Sequence, residues 1–172
     1  MRRTIILDQF DEATSSGYLN SVPRAKLADH NVRHLGRTLA NVRDHHAACS
    51  CGQLSLTARG DPVRVSMCHC LACQRRTGSA FGVQARYLRD RVRIEGDSTA
   101  YTRISDEGDA RTFFFCPHCG ATVFYHLPGE EDVVAIPVGA FAEPGFPAPT
   151  RSVYEARRHE WVAVPAAIEH YD

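Results

Sequence analysis

A mainly β domain behind a short helical N-terminal extension is the fold class that the sequence predicts, and three observations predict it. Short apolar runs with a period of two recur at close spacing from position 54 onward. Turn chemistry separates them, as at Gly60-Asp61-Pro62, Glu95-Gly96-Asp97 and Pro128-Gly129. Residues 1–44, by contrast, hold no cysteine and place Ala28, Val32, Leu35, Leu39 and Val42 at helical spacing. A chain of 172 residues, 44% of them hydrophobic, is long enough for one domain with its own core. The expected organisation is therefore an extension over 1–44 and a single domain over 45–172.

In chain order, the extension is expected to carry one amphipathic helix between Arg33, Arg37 and Arg43, loosely docked as chain ends often are. Strands are expected at 54–58, 63–67, 81–85, 92–95, 100–104, 112–116, 122–126, 133–138 and 151–154, most of them half-buried. Between the second and third, 71–77 suits a single helical turn ended by Gly78. Prolines 144, 147 and 149 argue against regular structure after Gly139 until Arg151. So many short strands in sequence make a mainly β layer architecture.

Charge and hydropathy exclude several function classes. The formal net charge is zero and the pI near 7.1, so no global field draws nucleic acid or an anionic membrane surface. No run approaches the roughly 20 apolar residues that span a bilayer. Ile5-Ile6-Leu7 is cut off by Asp8, which leaves no signal-peptide core, and a cytoplasmic, reducing compartment is expected. There, clustered thiols serve as metal ligands or reactive groups rather than disulfides.

Seven cysteines fall in three clusters: Cys49-Ser50-Cys51-Gly52, Cys68-His69-Cys70-Leu71-Ala72-Cys73 and Cys116-Pro117-His118-Cys119-Gly120. In an extended chain Cys49 and Cys51 share one face and can offer both sulfurs to one ion. Cys116 to Gly120 suits a C-x-x-C knuckle whose glycine takes the left-handed conformation. Four thiolates in tetrahedral geometry suit zinc. Spacing alone allows two partitions. One joins Cys70 and Cys73 to Cys116 and Cys119; the other joins Cys49 and Cys51 to that pair and leaves Cys68, Cys70 and Cys73 as a compact group able to hold an ion alone.

With these clusters in place, the chain resembles the family of the glutathione-dependent formaldehyde-activating enzyme and centromere protein V. The resemblance rests on 46–52, on 68–81 (Cys68-His69-Cys70-Leu71-Ala72-Cys73-Gln74-Arg75-Arg76-Thr77-Gly78-Ser79-Ala80-Phe81) and on Phe115-Cys116-Pro117-His118-Cys119-Gly120-Ala121-Thr122. It continues through Val138-Gly139-Ala140-Phe141 and Tyr154-Glu155 to Trp161. What the resemblance implies is a β-tent (Mss-four-like) zinc fold with two zinc ions per chain. Cys49, Cys51, Cys116 and Cys119 would form a closed structural site, and Cys68, Cys70 and Cys73 an open site that serves catalysis. The extension over 1–44 departs from the family pattern.

An open three-ligand zinc keeps a position for substrate and holds a thiol as thiolate near neutral pH, ready to add to an aldehyde carbonyl. The implied activity is a carbon–sulfur lyase type reaction that forms or cleaves S-hydroxymethylglutathione from formaldehyde and glutathione. Arg75 and Arg76 are candidate clamps for the carboxylates of glutathione, and Ser79 a candidate donor. Competing readings are a zinc-stabilised interaction module without catalysis and a thiol-redox protein. His69 is expected beside the ligands or at the surface, His118 in solvent, and Phe81, Tyr154 and Trp161 in the core.

Overall fold

The computed structural model describes residues 43–106 and 108–172. The helix expected over 28–42 lies outside them. Within them run eleven strands and one α-helix: β1 (Asp44–Ala48), β2 (Ser55–Arg59), β3 (Arg64–Cys68), α1 (Leu71–Thr77), β4 (Gly82–Leu88), β5 (Val92–Glu95), β6 (Thr99–Ile104), β7 (Ala110–Phe115), β8 (Thr122–His126), β9 (Val133–Pro137), β10 (Arg151–Val153) and β11 (Glu169–His170). The mainly β class stands. Short 3-10 turns interrupt the strands at Arg89–Arg91, Val138–Phe141 and Glu155–Arg157.

Two sheets result. The smaller has the order β1-β2-β5 and is antiparallel throughout. The larger has the order β11-β10-β3-β4-β9-β8-β7-β6, antiparallel except where β10 runs parallel to both β3 and β11. Period-two burial builds the core between them: His45 and Ala47 of β1 and Leu56 and Ala58 of β2 point inward. They meet Val65, Ala85, Tyr87, Val134 and Ile136 of the larger sheet, with Phe141 stacked on Phe146 at 4.4 Å closing one end.

Three strands depart from the half-buried alternation. Val65 to Cys68 of β3, Val134 to Ile136 of β9 and Val123 to Tyr125 of β8 are buried in succession, because each is covered on both faces. Ala135 of β9 belongs to a second apolar cluster with Phe113 and Tyr125, on the face opposite Val134 and Ile136. On that second face α1 lays the guanidinium of Arg76 over Phe113 and Tyr125.

β1 and β11 were not expected from sequence. Asp44-His45-His46 is too polar to signal a strand, and its pairing comes wholly from β2 in register Ala47↔Leu56. The helical segment expected at 71–77 is α1, with those bounds, and it ends as expected on Gly78, at φ +61. Between Phe114 and Phe115 the β7–β8 ladder slips by a bulge, which redirects the chain into Cys116.

Candidate metal centre

The fold gathers all seven cysteines into two groups. Cys49, Cys51, Cys116 and Cys119 have their sulfurs within 4.8 Å of one another, and so do Cys68, Cys70 and Cys73. These are the groups of the second partition above.

In the first group, the Cys49–Gly52 segment is a tight turn rather than the extended chain expected. Gly52 N donates to Cys49 O at 3.0 Å with Gly52 at φ +78, so the two sulfurs converge through a turn and not through strand alternation. The second hairpin copies the device: Gly120 N donates to Cys116 O at 2.9 Å with φ +74. Backbone donors are aimed at sulfur, Leu54 N at Cys49 Sγ (3.3 Å) and His118 N at Cys116 Sγ (3.4 Å). Burial works against a charged Cys49, yet hydrogen bonds from Leu54, Cys51 and Cys116 bring its pKa down to about 6. His118 is exposed, as expected. Gln53, between the two halves, packs its carbonyl against the Gly96 turn.

Four sulfurs around zinc at about 2.3 Å stand about 3.8 Å apart in a tetrahedron. Cys49 Sγ to Cys51 Sγ is 3.5 Å and Cys51 Sγ to Cys116 Sγ is 3.6 Å. The donor set and its spacing fit such an ion.

The second group lies at the junction of β3 and α1. Cys68 ends β3, opposite Gly82 in the ladder, and Cys70 caps α1, with Cys73 N donating to its Sγ at 3.4 Å. Cys68 and Cys70 are buried, while Cys73 is half-exposed. Hydrogen bonds from the Cys68 and Cys73 thiols, aided by the Cys73 and Ala72 N–H groups and opposed by burial, push the Cys70 pKa down to about 2. Hydrogen bonds with Cys70 and Cys73, and then burial, push the thiol of Cys68 up. Three sulfurs that converge from only two elements fit an ion with one position left for another ligand.

Around this group the structure sorts the other candidate residues. Arg76 is half-buried and holds its guanidinium 5.2 Å above the Tyr125 ring and 5.4 Å from Phe113. Its Nε and Nη2 are buried without a hydrogen-bond partner. Arg76 Nη2 and Cys73 Cβ both lie close to the point where a Cβ on Gly82 would stand, at 3.3 and 3.4 Å. Unused charged donors therefore face the neighbourhood of Cys73. Arg75 and Ser79 are exposed; the Ser79 N–H goes to Gln74 O at 3.3 Å, closing the helix.

His69 turns away from the sulfurs, but into the interior rather than to the surface. It is fully buried, with Nε2 3.2 Å from Ser152 Oγ and its ring 5.8 Å from Phe81, and burial lowers its pKa. Trp161 corrects a second expectation: it is 75% exposed, tilted against His159 at 5.6 Å, because the C-terminal segment runs along the surface. Phe81 and Tyr154 are half-buried, the latter with φ +58.

Several residues at the site had no role assigned from sequence. Gln74 donates from Nε2 to His69 O (2.8 Å) and Arg157 O (3.1 Å) and pairs through Oε1 with His159 Nε2 (3.1 Å), tying α1 to the C-terminal segment. Arg157 pairs with Asp106 at 2.8 Å. Tyr125 and Phe113, the platform for Arg76, come from strands far along the chain, and only the aromatic density of 113–115 and 124–125 hinted at them.

Among solved structures, a crystal structure of a Rhodobacter sphaeroides protein is similar, at 16% identity and a TM-score of 0.45, over 62% of this chain and 98% of that chain. No curated protein matches. Among the described residues no helix is long and apolar enough to cross a membrane. The pattern of the family described as glutathione-dependent formaldehyde-activating enzyme matches residues 44–157, which is well over half of the sequence. The chain belongs to the glutathione-dependent formaldehyde-activating enzyme family.

Proposed function

We propose that the chain is a carbon–sulfur lyase type enzyme that forms and cleaves the adduct of glutathione with a small aldehyde, using a unit spanning 45–172. The observation that carries this reading is the three-cysteine group with unpartnered Arg76 donors beside it. Cys49, Cys51, Cys116 and Cys119 would hold a structural zinc, and Cys68, Cys70 and Cys73 a second. That second zinc would supply a position at which a small thiol stays deprotonated near neutral pH.

The chain's own residues do the rest. Arg76 Nε and Nη2 offer two charged donors to the oxygen of the adduct or to a substrate carboxylate, and the Tyr125 and Phe113 faces keep the guanidinium from swinging into solvent. Exposed Arg75 suits a carboxylate of glutathione, and Ser79 stands at the same end of α1. In the forward direction the thiolate sulfur adds to the carbonyl carbon, the C–S bond forms, the C=O π bond opens and the oxygen takes a proton. In reverse the hydroxyl loses its proton, C=O re-forms and the electron pair leaves with sulfur. Three thiolates donate enough charge to weaken Lewis acidity, which favours delivery of a thiol over activation of water.

The test is the zinc content of the purified chain and of Cys70→Ala, with glutathione titrated into each. Two zinc ions in the wild type, one in the variant and glutathione uptake by the wild type alone are expected. One zinc and no uptake in the wild type refutes the reading. Arg76→Met should keep both ions and bind glutathione about tenfold more weakly.

A further inference from the structure

Beside α1 an open groove of about 710 Å³ runs along the outer face of β6 and β7. Its wall is apolar: Leu71 of α1, Tyr101 and Ile104 of β6, and Phe113 and Phe115 of β7. Three of these are large side chains left in water, Leu71 at 48%, Tyr101 at 60% and Ile104 at 64% exposure. Tyr101 and Phe113 are cross-strand partners, so both side chains stand on one face of the β6–β7 ladder. Cationic groups frame it, Arg75 and Arg76 from α1 and Arg103 from β6, while the acid at the rim, Asp106, is occupied by Arg157.

The groove adjoins the reactive group. Leu71 and Ala72 are the residues between Cys70 and Cys73, and Arg76, which borders the groove, also borders the Cys73 neighbourhood. On the other side Arg76 and Thr122 also line a second groove of about 790 Å³, whose wall mixes His46, Thr57 and Glu95 with Leu56, Pro137 and Phe141. Formaldehyde, with two heavy atoms, would leave the apolar groove bare.

We infer that the groove between α1 and β6–β7 receives the substituent of a larger, apolar aldehyde, of aryl or medium alkyl size, carried by the thiol adduct. The inference rests on the adduct chemistry proposed above. Apolar area removed from water on this wall supplies selectivity for such an aldehyde over formaldehyde.

S-benzylglutathione and S-methylglutathione are stable analogues of the benzaldehyde and formaldehyde adducts and differ only in the ring. Titrated by calorimetry into the zinc-loaded full chain, the benzyl compound should bind at least about tenfold more tightly. In Ile104→Asp, a change at an exposed site, that ratio should fall towards one, and Tyr101→Thr, which suits an edge strand, should lower it likewise. Equal binding of the two analogues by wild type, or an unchanged ratio in both variants, overturns the inference and leaves the glutathione reading standing. Binding of neither analogue overturns the inference, and uptake of free glutathione by the same zinc-loaded chain then decides whether the glutathione reading stands. A dimer in sedimentation velocity that Ile104→Asp dissociates, together with equal binding of the analogues, would assign the groove to a second copy and overturn the inference.

Discussion

Gly96 is the residue on which the four-cysteine group depends without touching it. It stands in the β5–β6 turn at φ +91, and a Cβ added there would lie 1.8 Å from Gln53 O and 2.9 Å from Gln53 C. Those are backbone atoms of the residue just before Leu54, and Leu54 N in turn donates to Cys49 Sγ. Gly96→Ala therefore incurs two costs. The left-handed backbone alone costs about 1–2 kcal/mol for a residue with a Cβ. Relief of the overlap must then move the Gln53 carbonyl by more than an ångström, which breaks the approach of Leu54 N to sulfur and brings the total to about 4 kcal/mol or more. Gly129→Ala is the matched control, since φ is +70 and nothing lies within 4 Å of its Cβ. For a chain of this size the expected fall in Tm is about 2–8 °C for the control and at least about 8 °C for Gly96→Ala. Thermal unfolding followed by circular dichroism, with zinc release read by a colorimetric chelator, measures both. Gly96→Ala should lose one zinc equivalent on mild heating that the control keeps. Equal melting of the two variants within about 2 °C would refute the coupling of the turn to the metal loop.

Two further outcomes follow from the geometry. Glu143 accepts from buried His45 at 3.0 Å, with Arg43 also paired to it; the His45 hydrogen bond foremost, against opposing burial, holds the Glu143 carboxyl below its ordinary value of 4.5. A depressed folded-state pKa stabilises above the unfolded value and the gain is lost as pH falls through the folded one, so below about 4.5 the wild type should lose Tm more steeply than Glu143→Gln, and parallel pH profiles would contradict this. Gln74→Ala removes three hydrogen bonds to 69, 157 and 159 and should lower the protection of amides over 155–162 by about 1–3 kcal/mol in hydrogen exchange while strands β3 and β4 keep theirs.

The features that could be read from sequence are those whose cause is local. Strands such as 92–95 and 122–126 match their observed bounds because alternation and flanking turns define them without outside help. Gly78 and Gly120 were legible because a left-handed residue after a helix or knuckle is a nearest-neighbour requirement. What escaped was set by distant partners. β1 owes its strand to β2, and β11 owes its two residues to β10. Cys49 and Cys51 converge by a turn that any short segment ending in glycine could adopt, so alternation pointed to the wrong local shape for the right pair of ligands. Trp161 defeated the expectation that large aromatics are buried, since the segment around it turns Val162 inward instead and is tied down by hydrogen bonds through Gln74 and His159. Arg76 could be named from its place after the cysteines, but its aromatic platform needs β7 and β8 brought beneath α1.

The two cysteine groups differ most in how much chain they enclose. Cys68, Cys70 and Cys73 sit within a few residues of one another, whereas Cys51 and Cys116 meet across the intervening strands. A local trio can capture zinc in an unfolded or nascent chain, and an ion that also binds the unfolded state adds little to stability. The four-cysteine group exists only after β2 to β7 are in place, so an ion held there would act as a late clasp across a long loop, where loop closure is entropically costly. A metal would thus load in a fixed order during biosynthesis, at the three-cysteine group first and at the four-cysteine group last.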